Sequence, residues 1–114
     1  MGYNLTRPLI MEAKIMNIER TKTGTELTLA LDGRLDTATA PQLEVELGDL
    51  AGVERLVIDM KELVYISSAG LRVLLKAQKA LMRVGSGMRL RNVGQDIRDI
   101  FEVTGFDEVL TIEG

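Results

Sequence analysis

Leu27, Leu29 and Leu31 alternate with Thr28, Ala30 and Asp32. A period of two marks a strand with one face in a core, and Gly33 is expected to end it. Upstream, Met16, Ile18 and Arg20 alternate less cleanly with Ile15, Asn17 and Glu19, and Lys22-Thr23-Gly24 offers a glycine for a tight turn, so residues 13–32 predict a two-stranded hairpin. The period then changes. Leu43, Leu47 and Leu50 recur at steps of four and three behind Pro41, whose missing N–H suits a first helical turn. Thr39 is the candidate cap, and a helix is expected over 41–50, closed by Gly52. Arg55–Met60 holds the unbroken run Leu56-Val57-Ile58, which suits a central parallel strand covered on both faces. Lys61-Glu62 reads as a turn before Leu63-Val64-Tyr65-Ile66.

Ser67-Ser68-Ala69-Gly70 opens the longest periodic segment, a helix to about Val84 and about 25 Å long. Leu71, Leu74, Leu75, Leu81 and Met82 form its apolar stripe, interrupted by Gln78, with Arg72, Lys76, Lys79 and Arg83 opposite. Gly85-Ser86-Gly87 stops it, and Met88–Val93 reads as a strand. Gln95–Thr104 reads as a short helix with Ile97, Ile100, Phe101 and Val103 apolar and Gly105 at its end. Val109–Ile112 is a candidate edge strand. The alternation of strands and helices predicts one α/β domain, a mixed, mostly parallel sheet of four to five strands with helices packed against it. Residues 1–12 read as a leader or flexible extension and 13–114 as the domain.

Composition narrows the chemistry. The 114 residues hold no Cys and no His, which removes Cys/His and Ser/His/Asp catalysis, the usual zinc sites and any disulfide. Aromatic residues are 4% and Trp is absent, so base-stacking platforms are not expected. Near the N-terminus, Met1-Gly2 with Thr6 fits a myristoylation pattern and Asn4-Leu5-Thr6 a glycosylation sequon, both short patterns that arise by chance. No run has signal-peptide or membrane-spanning length. No cofactor, direct nucleic-acid contact or membrane contact is expected, and the acidic pairs Asp32/Asp36 and Asp96/Asp99 read as caps and surface charges. Gly85-Ser86-Gly87 follows a helix and lacks the Lys of a phosphate loop.

Charge is segregated. Residues 1–67 carry 7 basic and 11 acidic side chains, residues 68–91 carry 6 basic and none acidic, and residues 92–114 carry 1 basic and 6 acidic. The basic face is either a solvated helix surface or a docking surface for an acidic partner. The chain has only three serines, Ser67, Ser68 and Ser86. Two lie between a strand and a helix N-terminus, where α/β sheets gather ligand and partner sites. One serine is needed as a cap; the other is free for regulation, since a phosphate there adds about −1.5 to −2 charge.

Asp59–Leu75, DMKELVYISSAGLRVLL, resembles the signature of STAS domains of the anti-sigma-factor-antagonist type, and Gly33–Leu47, GRLDTATAPQLEVEL, resembles the turn leading into that family's first helix. The resemblance covers about residues 13–112. It implies a cytoplasmic, non-enzymatic partner switch. The unmodified antagonist binds an anti-sigma factor that is also a serine kinase; phosphorylation releases it, and a phosphatase resets it. Aligned on Gly70-Leu71, the family's phosphoserine falls on Ser68, with Ser67 as the alternative. Ser67 stands where the family often has Asp, and Ala69 where it often has Ser. The implied partner surface is Asp36, Ser67, Ser68, Ala69, Gly70 and Arg72, on a monomer or weak dimer. Two other readings stay open: a STAS module that binds partners without being phosphorylated, and a nucleotide-binding α/β domain using the same helix N-terminus.

Overall fold

A computed structural model describes residues 16–113. The leader, the myristoylation and sequon matches and Ile15 lie outside these residues. Strand β1 (Asn17–Thr23) and strand β2 (Glu26–Leu35) form the expected antiparallel hairpin. Helix α1 (Ala40–Leu47), strand β3 (Arg55–Ile66), helix α2 (Ser68–Arg83), strand β4 (Gly87–Arg91) and helix α3 (Gln95–Thr104) follow, and then a 3-10 turn, Phe106–Glu108. The sheet order is β1-β2-β3-β4, with β2–β3 and β3–β4 parallel. This is the expected mixed α/β sheet, with four strands.

Among the described residues, the helices pack on one face of the sheet. Leu27, Leu29 and Leu31 of β2, Leu56, Ile58 and Met60 of β3, and Met88 and Leu90 of β4 share one cluster with Leu43, Leu71, Leu74, Ile97 and Phe101 of the helices. Val57 is fully buried yet lies outside that cluster. By the alternation of a strand Val57 points to the opposite side from Leu56 and Ile58, so the run is buried on both faces, as its composition suggested.

Lys61-Glu62 is not a turn. β3 runs straight through it because two register shifts, between Ala30 and Asp32 and between Gly33 and Arg34 of β2, let β3 carry an extra residue at each. Its core-facing residues are consequently Leu56, Ile58, Met60, Leu63 and Ile66. The two steps of three mark the bulges, and the Asp59 carboxylate accepts the Lys61 N–H at 3.0 Å across the first. Gly33 does not end β2, which reaches Leu35; its φ of +121° is a conformation that glycine adopts readily, so the strand bends there and continues.

Other boundaries shift for local reasons. α1 stops at Leu47 with Gly48 as its C-cap, so Leu50 and Gly52 belong to the following loop. β4 ends at Arg91, because Asn92 takes a positive φ of 57°. Val109–Ile112 forms no strand; a single bridge joins Ile112 to Leu90. Beside it, Arg91 donates to Glu113 at 3.0 Å, and that hydrogen bond holds the Glu113 carboxyl below its ordinary range. Met82 is 64% and Val103 87% exposed, and Leu75 is only half-buried, so the apolar stripes of α2 and α3 are narrower than their spacing suggests. Gln78 is buried as part of the α2 stripe and donates to the Val109 carbonyl at 3.0 Å. Among the described residues no helix is long and apolar enough to cross a membrane.

Candidate functional site

Leu35 pairs with Ile66 at the last rung of the β2–β3 ladder. Asp36 and Ser67 therefore leave the sheet side by side, and the Ser67 N–H donates to the Leu35 carbonyl at 2.9 Å. Ser67 is the N-cap of α2, with extended backbone (φ −104°, ψ 175°), and its carbonyl accepts the Leu71 N–H at 3.0 Å. Its side chain does not cap the helix. The Ser67 hydroxyl is sealed from solvent and has no hydrogen-bond partner among the described residues.

Ser68, the first residue of α2, is exposed. Ser86 is half-buried and donates to the Val53 carbonyl at 3.2 Å. Ser68 is thus the only serine of the three with an exposed side chain. A hydroxyl at this place sits where the unsatisfied N–H groups of a helix start gather, which favours added negative charge.

Gly70 is buried, and a reason other than partner contact requires it. A Cβ there would lie 2.7 Å from Leu35 Cγ and 3.0 Å from Ile66 Cγ1. The first turn of α2 is pressed onto the last rung of the sheet, and only glycine permits it. Ala69 is half-buried and Arg72 is exposed. Both line a recess of about 290 Å³ between the starts of α1 and α2, with Thr37 and Pro41 opposite. That volume is at the low end for small-molecule sites, about 300–1,000 Å³.

Asp36 is held by its own turn. Its carboxylate accepts the Ala38 N–H at 3.0 Å and the Thr39 N–H at 3.2 Å. Thr39 occupies the N-cap position of α1, as its place before Pro41 suggested, but its side chain bonds backwards: the buried hydroxyl donates to the Arg34 carbonyl at 2.7 Å and accepts the Asp36 N–H at 2.9 Å. Replacing Thr39 with Val should leave both backbone groups short of a partner and cost about 1–2 kcal/mol. The expected readout is a lower urea midpoint with an unchanged slope.

Two features were not read from the sequence. Arg34 lies opposite Tyr65 across the strands, and its guanidinium sits 4.3 Å from the ring centroid and 3.7 Å from the Asp36 carboxylate. The second bulge also turns Val64 outward beside Tyr65 on the same rim. The apolar run from Leu63 to Ile66 hides this, because outward and inward residues look alike in it. Among the described residues, no group of three or more acidic side chains is arranged to hold a metal ion.

Comparison with known proteins places this arrangement among relatives. A family model described as STAS domain matches residues 17–114. A Bordetella bronchiseptica protein named as an anti-sigma factor antagonist, BtrV, is 39% identical over 88 residues, covering 75% of this chain and 76% of that one. The anti-sigma-B factor antagonist of Bacillus subtilis is 26% identical over 99 residues, covering 85% and 90%. Among solved structures, the anti-sigma factor antagonist SpoIIAA in its unphosphorylated form aligns with a TM-score of 0.68 at 19% identity over 87% of each chain. Bacillus SpoIIAA in its phosphorylated form aligns at 0.66 and 19%, over 87% and 91%. At that identity the likeness is one of fold.

Proposed function

Because the chain belongs to the STAS domain family, matched over residues 17–114, we propose that it is an anti-sigma factor antagonist controlled by phosphorylation of Ser68. In its unmodified form it binds an anti-sigma factor that is also a serine kinase, and so frees a sigma factor for transcription. Phosphate on Ser68 releases the complex, and a phosphatase restores it. The protein acts in the cytoplasm as a binding partner and substrate, not as an enzyme. The names of the relatives support the class of function.

One observation carries the choice of residue. The Ser68 side chain is open to an incoming active site, whereas the neighbouring Ser67 oxygen is sealed. A kinase must bring its phosphoryl donor into line with the hydroxyl, and a sealed oxygen does not allow that approach. The exposed surface near the start of α2 suits a protein lid: Arg72 is charged, and Val64 and Tyr65 at the end of β3 offer exposed apolar area.

The test is incubation with the anti-sigma serine kinase and ATP, followed by phosphopeptide mass spectrometry. Label is expected on Ser68 in the wild type and in Ser67→Ala, and none in Ser68→Ala. Label on Ser67 or Ser86 in the wild type would refute the assignment.

A further inference from the structure

Ser68 heads a row on the outside of α2. Arg72, Leu75, Lys79 and Met82 follow it at steps of four, three, four and three, which keeps their side chains along one line of the helix. Arg83 stands beside the far end. The row is about 21 Å long. It lies away from the core side of α2, which is formed by Gly70, Leu71, Leu74, Ala77 and Leu81. Arg72, Lys79 and Met82 are exposed and Leu75 is half-buried, so cations and apolar groups alternate along a solvent-facing line. Between Ser68 and Arg91 the chain has no acidic residue. Among the described residues, Lys76 alone on α2 makes an ion pair, with Glu44 of α1 at 2.9 Å. Arg72, Lys79 and Arg83 have no carboxylate partner among the described residues.

We propose that this row is a docking track for an acidic, partly apolar face of the protein that covers Ser68. The inference rests on the function proposed above and names the chemistry of that partner's face. Charge complementarity names the occupant: Arg72 and Lys79 on the exposed line, with Arg83 beside its end, are matched by carboxylates, and Leu75 and Met82 by apolar side chains between them. A nucleic acid fits less well, because the chain is net −3 and carries its acidic C-terminal stretch on the same domain. The track also links recognition to release. A phosphate on Ser68 stands four residues ahead of Arg72, within reach on the helix surface, and takes the cation that the partner's first carboxylate uses.

Association kinetics with the kinase that modifies the wild-type chain test this. Lys79 is eleven residues from Ser68, about 16 Å along the helix, and is exposed, so Lys79→Glu leaves the acceptor and the fold in place. The expected result is an association rate about tenfold lower at low salt, a dissociation rate within about twofold, and a difference that fades near about 0.5 M NaCl. Lys79→Gln should fall between the two. At saturating kinase, Ser68 should still be modified at the wild-type rate. Wild-type association by Lys79→Glu, with Ser68 still phosphorylated, would overturn the track alone. So would loss of duplex DNA or phosphatidylserine-vesicle binding in Lys79→Glu with kinase capture unchanged. A wild-type chain that neither binds the kinase nor accepts phosphate would remove the functional reading and the track with it.

Discussion

Replacing Gly70 with Ala should lower the melting temperature by roughly 10 °C, although the same change in an open helix would add about 1 kcal/mol of stability. The sign reverses because of what the new methyl meets. Its carbon would lie 2.7 Å from Leu35 Cγ and 3.0 Å from both Leu35 Cδ2 and Ile66 Cγ1. Leu35 and Ile66 are fixed in the core at the end of the β2–β3 ladder. The crowding falls on the Cγ branch point of leucine, not on the far end of a flexible chain. Overpacking of this kind costs about 1–3 kcal/mol, and at roughly 4–8 °C per kcal/mol the fall is easily seen in a thermal melt. A double-mutant cycle isolates the cause. Leu35→Ala alone should cost about 2–5 kcal/mol as a cavity. Combined with Gly70→Ala, it should cost less than the sum, because the methyl then fills space that leucine vacated. Strict additivity would show that the close approach of α2 to the ladder does not set the requirement for glycine.

Ser68→Asp should weaken binding of the anti-sigma partner at least tenfold, a loss of about 1.4 kcal/mol or more, while Ser68→Ala keeps wild-type affinity. Titration calorimetry reads both. The substitution leaves the fold unharmed. Ser68 is exposed and is the first residue of α2, and α2 has no acidic residue in its first turn. A carboxylate there is favoured by the helix dipole by a few tenths of a kcal/mol, so the variant should melt no lower than the wild type. Any lost affinity then belongs to the interface, where a covered charge must shed water without a partner prepared for it. Equal affinity of Ser68→Asp and wild type would show that the partner does not cover this hydroxyl.

Leucine spacing made the sheet legible. Where a strand or helix had one clean face, as in Leu27–Leu31 or Gln95–Thr104, the pattern and the structure agree on the element and nearly on its ends. It was less informative where outward positions are also apolar. Leu63-Val64-Tyr65-Ile66 reads as continuous core, yet Val64 and Tyr65 face solvent, because a bulge separates two buried positions by three residues rather than two. Gly33 and Lys61-Glu62 looked like breaks for a related reason: both sit at irregularities that the paired strand accommodates. The site showed a similar division. The doubled serine at a helix start was visible, but which oxygen faces water depends on how α2 meets Leu35, a contact between residues more than thirty positions apart in sequence. The Arg34–Tyr65 stack is a cross-strand pairing of that kind, and no spacing along the chain announces it.

The two extra residues of β3 turn its distal half into a ruler. Chain length between Met60 and Ile66, rather than the chemistry of its outward side chains, determines at which angle the polypeptide enters α2. Drift in the identity of Lys61, Glu62 or Val64 leaves that geometry alone. Gain or loss of a single codon in this stretch rotates everything downstream by a strand's half-turn and exchanges the outward hydroxyl for the inward one. In lineages that share this domain, the interval should accept substitutions freely at its outward positions, with Leu63 kept apolar, and indels hardly ever.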